Sequence, residues 1–252
     1  DASRAMTRLQ PVGYNRPIPV APGLTVEFIN AGHLLGSSYA RVQTESSGRT
    51  LLFGGDLGRY DRPVLPDPTT VPEADLLLVE STYGNRLHED DDGGTRLAEV
   101  IASTAERGGK VIVPAFALGR VEEVLYWISR LEDERRIPVL PVYVDSPMSA
   151  VVLETYRAHM NELDADILQS ASNGHRARAH QKLCGFCTAK LKVVSSIQES
   201  IAVQESKAPS IVISASGMAT GGRVLHHLAR ALADARNTVL LVGYQAVGTR
   251  WE

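Results

Sequence analysis

The sequence has 252 residues, enough for one large domain or two of ordinary size, and its 44% hydrophobic and 22% charged residues exclude a disordered chain. A net charge of −3 provides no chain-wide basic field. That excludes avid electrostatic capture of nucleic acid but leaves room for an enzyme that holds a strand locally around a site.

No apolar run approaches the roughly 18 residues of a membrane-crossing helix, and the opening DASRAMTRLQPVGYNRPIPV has no apolar leader core. The only cysteines, Cys184 and Cys187, form one CxxC, which is no disulfide framework and suits a reducing compartment. The expectation is a cytoplasmic protein with no membrane partner. The chain opens without Met and closes at GYQAVGTRWE just after an apolar run, so a piece of a longer protein is expected.

In chain order, residues 1–9 read as the end of a helix stopped by Pro11 and Gly13. LTVEFINA (24–31), SYARVQT (38–44) and RTLLFGGD (49–56) read as strands, and ADLLLVEST (74–82) is an apolar run closing on Glu80. The pattern changes after the acidic HEDDDGG segment near residue 90. Helix-spaced TRLAEVIASTAERG is followed by the strand KVIVPAFALG, the amphipathic helix RVEEVLYWISRLEDE and the strand VLPVYVDSPM. SAVVLETYRAHM is a helix, KVVSSI and SIVISASGM are strands, GGRVLHHLARALAD is a helix and NTVLLVGYQ a last strand. Such alternation predicts a mostly parallel, Rossmann-like sheet covered on both faces, without the GxGxxG of a dinucleotide site.

Three strand-like runs end alike: glycines or small residues turn the chain and present one ionisable side chain. NAGHLLGSS presents His33, LLFGGDLGRYD presents Asp56 and LLLVESTYGNRLH presents Glu80. His and Asp are donors suited to zinc or a similar first-row metal, and an Asp with two oxygens can serve two ions. The competing reading is a hydrogen-bonded loop histidine and an Asx-type turn.

Taken in order, AGHLLGS, GDLGR and ESTYG resemble the metallo-β-lactamase fold hydrolases with a β-CASP domain, in the RNA-processing branch of nucleases. The resemblance continues through VPAFALGRVEEVLYWI, VYVDSPMS, ISASGMATGGRVLHHL and LLVGYQAVGT, and so covers essentially the whole chain. It implies an α/β protein: a partial metallo-β-lactamase αββα sandwich over residues 1–91, then a β-CASP domain over 92–252. His33 matches a histidine metal ligand, Asp56 the metal-bridging aspartate and Glu80 a carboxylate that supports a metal-site histidine without ligating. Asp56 and Glu80 are therefore the catalytic candidates, and His33 and Asp56 the metal candidates. The implied cofactor is zinc, two ions in a complete parent. The family's HxHxDH motif is absent from these 252 residues, as are the histidines that follow the GYQxxGT strand. Zinc is accordingly expected to bind weakly or not at all to this chain.

The implied partner is single-stranded RNA, with a homodimer as a further assembly. Phosphate contacts are expected from Ser146 in DSPMS (145–149), from Ser216, Gly217 and Arg223 in SASGMATGGR (214–223), and from Arg120 in PAFALGR (114–120). The plainer reading of the second segment is a helix start capped by Thr220. His226 and His227 diverge by about 100° on a helix and are read as packing or surface residues. His175, His180 and the CxxC have zinc-knuckle residue types at irregular spacing, so a pair of semi-buried thiols is expected there. Beside the nuclease stand two rivals, a non-catalytic β-CASP scaffold of an RNA-processing complex and a DNA-crosslink repair enzyme of a related branch.

Overall fold

The computed structural model describes residues 2–71, 73–88, 92–165, 167 and 186–251. The chain divides into two compact units, Asp1–His88 and Glu89–Glu252.

The first unit opens with a short helix, α1 (Ala2–Met6), and builds one five-stranded sheet in the order of the sequence. The strands are β1 (Ile18–Ala21), β2 (Leu24–Asn30), β3 (Ser38–Thr44), β4 (Thr50–Phe53) and β5 (Leu76–Leu78). Pairing is antiparallel up to β4, and β4 and β5 run parallel. Strand β1, which contains Pro19, is not among the elements expected from the sequence. It is an edge strand with an irregular register at Pro19 and Ala21, where a missing N–H is tolerated. Ile29 and Tyr39 face each other across β2 and β3, and with Ala31 and Leu52 they form the small core. On the opposite edge, β5 leaves Leu76, Leu77, Leu78 and Val79 between 45% and 56% exposed. A fully apolar strand exposed on both faces is unusual for a sheet that ends there.

The directions of the strands decide where their loops go. Strands β2 and β4 are each antiparallel to β3, so they run the same way, and β5 runs with β4. The C-terminal ends of β2, β4 and β5 therefore lie along one edge of the sheet.

The second unit is an all-parallel sheet with strand order β10-β6-β9-β7-β8. Its elements are α2 (Thr95–Glu106), β6 (Lys110–Pro114), α3 (Arg120–Asp133), β7 (Val142–Val144), α4 (Pro147–Ala158), β8 (Leu191–Val193), α5 (Ile197–Glu205), β9 (Ser210–Ser214), α6 (Val224–Ala231) and β10 (Thr238–Val239). Every residue of β6 and β9 is buried, as continuous apolar runs in a sheet covered on both faces require. Ile112 and Val212 are paired neighbours in one cluster with Val203 of α5 and Val224, Leu228 and Ala231 of α6. Their strand neighbours Val111, Val113, Ile211 and Ile213 point to the other face by the two-residue pleat. Right-handed crossovers place α3 and α4 on that face, because β6 to β7 to β8 moves across the sheet in the opposite sense to β8 to β9 to β10.

Two differences from the sequence reading have physical causes. Helix α5 was not expected, although Ser196 and Glu199 form a capping box at its start. The apolar stretch after Asn237 was expected as a full strand, yet only Thr238 and Val239 pair, at the sheet edge against β6.

Candidate functional site

His33 sits in the β2–β3 turn, and the turn is locked by its own polar side chains. Asn30 Oδ1 accepts from the Gly32 N–H at 2.8 Å, and Ser37 Oγ accepts from the N–H groups of His33 and Leu34 at 3.1 and 3.0 Å. Gly32 takes φ of +64°, and a Cβ there would lie 2.7 Å from the Pro68 nitrogen. Asp56 follows β4 through Gly54 and Gly55. The two turns touch at Gly58, whose N–H donates to Ala31 O at 2.9 Å and whose absent Cβ would lie 2.4 Å from that oxygen. No other residue type allows the backbones to approach so closely.

Glu80, two residues beyond β5, reaches back into the same edge. One carboxylate oxygen accepts from the Leu57 N–H at 3.2 Å and the other from the Thr82 N–H at 3.0 Å. Hydrogen bonds from Thr82 hold its carboxyl below the usual range; burial opposes them, and the Leu57 N–H and nearby His33 add to them. Glu80 thus stays charged and pins the residue that follows Asp56.

His33 Nε2 lies 4.0 Å from Asp56 Oδ2, with the side chains 40% and 77% exposed. Two donors on one tetrahedral zinc, each at about 2.1 Å, stand roughly 3.4 Å apart. The pair stands close to that separation, and an imidazole with a carboxylate is a donor set zinc accepts. As far as they go, the two residues fit the metal. Among the described residues no group of three His, Cys, Asp or Glu side chains could hold an ion, since Glu80 is turned to backbone N–H groups.

In the second unit the five expected phosphate contacts also follow strand ends. Arg120 follows β6, Ser146 follows β7, and Ser216, Gly217 and Arg223 follow β9, so all five lie toward the C-terminal edge of one parallel sheet. Ligands of open α/β sheets bind at that edge. Each residue nevertheless has local work. Arg120 donates to Glu123 at 2.6 Å, and Ser146 caps α4 by accepting from the Ser149 N–H at 3.2 Å. Ser216 Oγ accepts from the Thr220 N–H at 3.1 Å, and Gly217 lies against the backbone of Phe116. Thr220 is not the cap of α6: the helix begins after Arg223 and has no side-chain cap.

The residue that sequence reasoning missed is Asp145, fully buried at the end of β7. Its carboxylate accepts from Arg223 and His227 at 2.7 Å each and from Ser200 Oγ, while its carbonyl accepts from Ser214 Oγ. The bond to His227 places the ring proton on Nε2. Burial pushes the Asp145 carboxyl up, but the donors His227, Ser200 and Arg223 outweigh it and hold the group below its ordinary value. Arg223, at the N-cap of α6, and His227 on its first turn stand four apart, the signal that a common acceptor faces them. His226, by contrast, is exposed. Cys187 is buried and not a free thiol, unlike the thiol pair expected, while Cys184, His175 and His180 lie outside the described residues.

Residues 121–250 match the β-CASP domain family. This chain belongs to the β-CASP family. It is 38% identical to Ribonuclease TTHA0252 of Thermus thermophilus, an alignment covering 98% of this chain and 55% of that protein. It is 33% identical to an RNase J-like protein of Methanocaldococcus jannaschii, over 99% of this chain and 56% of the relative. Transcription termination factor FttA of Methanosarcina mazei is 30% identical over 95% of this chain and 37% of its own length. The chain thus spans little more than half the length of the first two relatives. The mixed sheet followed by an all-parallel sheet is the architecture of a partial metallo-β-lactamase-like domain and a Rossmann-like β-CASP domain.

Proposed function

We propose that this chain is part of a zinc-dependent ribonuclease that hydrolyses phosphodiester bonds of single-stranded RNA in the cytoplasm. The division of labour would be a metal-binding domain over residues 1–91 and a β-CASP domain over 92–252. The observation that carries the reading is the approach of His33 Nε2 to Asp56 Oδ2 at one sheet edge, with Glu80 bracing the Asp56 turn. The similarity to a ribonuclease and to an RNase J-like protein supports the reaction class.

His33 would hold zinc through its ring nitrogen, and Asp56, with two oxygens, could serve two ions. Further ligands would have to join them, because the described residues group no third donor there. Bound zinc supplies Lewis acidity that activates water and neutralises charge on the phosphate. Glu80 would keep the Asp56 turn in place by accepting from the Leu57 N–H. Arg120, Ser146, Ser216, Gly217 and Arg223 would receive backbone phosphates at the strand ends of the second unit.

The test is a protein extended to include an HxHxDH segment and the later histidines. It should cleave a single-stranded RNA oligonucleotide with zinc, and Asp56→Asn should abolish cleavage. The 252-residue chain should bind zinc weakly and leave the RNA intact. An extended protein that is folded and zinc-loaded yet inert would give the scaffold reading precedence.

A further inference from the structure

At the edge of the parallel sheet opposite the strand-end loops, the start of β6, the end of α5 and the end of α6 surround a cavity of about 310 Å³. Its charged lining comprises Lys110, Lys207, Arg230 and Arg236 against Glu205 and Asp234, with buried His227 at its inner wall. Four cations against two carboxylates make a local positive excess in a chain whose net charge is −3. Both carboxylates already have partners: Asp234 pairs with Arg236 at 2.6 Å, and Glu205 lies 3.7 Å from Arg230.

Lys110 is the unusual member. It is 8% exposed, and its ammonium donates to Val203 O at 2.7 Å and, more weakly, to Gln204 O at 3.4 Å, at the C-terminal end of α5. No carboxylate among the described residues pairs with it. The helix end supplies only partial negative charge. Burial first, and then the like charge of Arg230, push the Lys110 ammonium below its ordinary value. A buried cation beside another cation gains from an anion that faces both.

We propose that this cavity binds a phosphate monoester, with Lys110 and Arg230 facing the phosphate group and Lys207 completing the cationic rim. The volume exceeds what a bare oxyanion needs and reaches the lower end of small-ligand pockets, so a phosphorylated molecule of about nucleotide size fits. The cavity shares no residue with the candidate metal edge, and the proposal does not depend on the nuclease reading.

The experiment is calorimetric titration of the 252-residue chain at low ionic strength with inorganic phosphate and, separately, with adenosine 5′-monophosphate. Saturable binding with a dissociation constant on the order of 1 mM or tighter is expected, weakening as salt is raised. Arg230→Gln, at an exposed position, should weaken it by about tenfold, as loss of one charge-assisted contact does. Lys192→Gln, outside the cavity, should change nothing. Tighter binding of the nucleotide supports use of the full cavity, and equal binding supports recognition of the phosphate alone. Lys110→Met must also weaken binding; because that variant gives up contacts to α5, its fold is checked by circular dichroism, and Arg230→Gln and Lys207→Gln stand in if it unfolds. Absence of saturable binding by either probe up to 10 times the expected constant overturns the proposal. So does affinity unchanged in both Arg230→Gln and Lys207→Gln.

Discussion

Glu122 offers the sharpest test of the packing in the second unit. It is the third residue of α3, fully buried, and neither carboxyl oxygen has a hydrogen-bond partner. Burial pushes its carboxyl up to about 7, only partly opposed by the backbone N–H groups of Glu122 and Gly119. In the unfolded chain the group ionises near its ordinary 4.5. Below that pH both states are protonated, and the folded state carries no charge penalty. As pH rises from about 4.5 to about 7 the unfolded chain gives up its proton while the folded chain keeps it, so stability falls. Above the folded value both are ionised and the loss is complete. At about 1.4 kcal/mol for each tenfold change in proton affinity, the total is about 3 kcal/mol. Glu122→Gln keeps the shape and the unpartnered polar atoms but cannot ionise. Urea denaturation of both proteins should give similar stability at pH 4.5 and an advantage for the variant of about 3 kcal/mol at pH 8. Parallel curves across that range would show that Glu122 is solvated or paired in solution.

Three further outcomes follow from the geometry. Gly58→Ala places a methyl group against the backbone of Ala31 and Gly32, so it should cost the first unit about 1–3 kcal/mol in denaturation and weaken any zinc affinity measured by chelator competition. Asp145→Ala leaves Arg223, His227 and Ser200 facing a buried void, and should cost about 3–5 kcal/mol by urea denaturation; Asp145→Asn should cost less. Because the Asp145 carboxyl is held low, its contribution is complete above its ordinary range and is lost as pH falls through the folded value, so Asp145→Asn should flatten the acid limb of the stability profile. Leu77→Lys should leave stability within about 0.5 kcal/mol, since the side chain is exposed, and should reduce self-association seen by light scattering.

Much of this was legible from residue pattern because periodicity and turn chemistry are local. The continuous apolar runs of β6 and β9 announced a sheet buried on both faces, and the strand-helix alternation after residue 90 announced a parallel one. The sharing of one edge by the His33, Asp56 and Glu80 turns needs one further step, the parity of antiparallel pairings from β2 to β4. What stayed hidden was tertiary. Strand β1 contradicts local propensity because its edge position removes the penalty of Pro19. The role of Asp145 depends on three donors 55, 78 and 82 residues away, a coincidence no local pattern encodes.

The pairings of the two arginines bear on how a phosphate would be received at the strand ends of the second unit. Arg223 commits Nη1 to Asp145, and Arg120 commits Nη1 to Glu123. Each salt bridge reduces the net charge seen from outside, which argues against strong long-range attraction and agrees with a chain of net charge −3. A guanidinium has five N–H donors in a rigid fork, so one engaged nitrogen need not exhaust it. The same bridge fixes the direction of the fork before a ligand arrives, and the ordering cost on binding falls accordingly. Asp145 is buried and held by two helices, so Arg223 is the better anchored of the pair. An Asp145→Asn variant that still folds should therefore bind single-stranded RNA more weakly than the parent despite its more positive charge. If affinity instead rose with the added charge, orientation would count for less than net electrostatics at this edge.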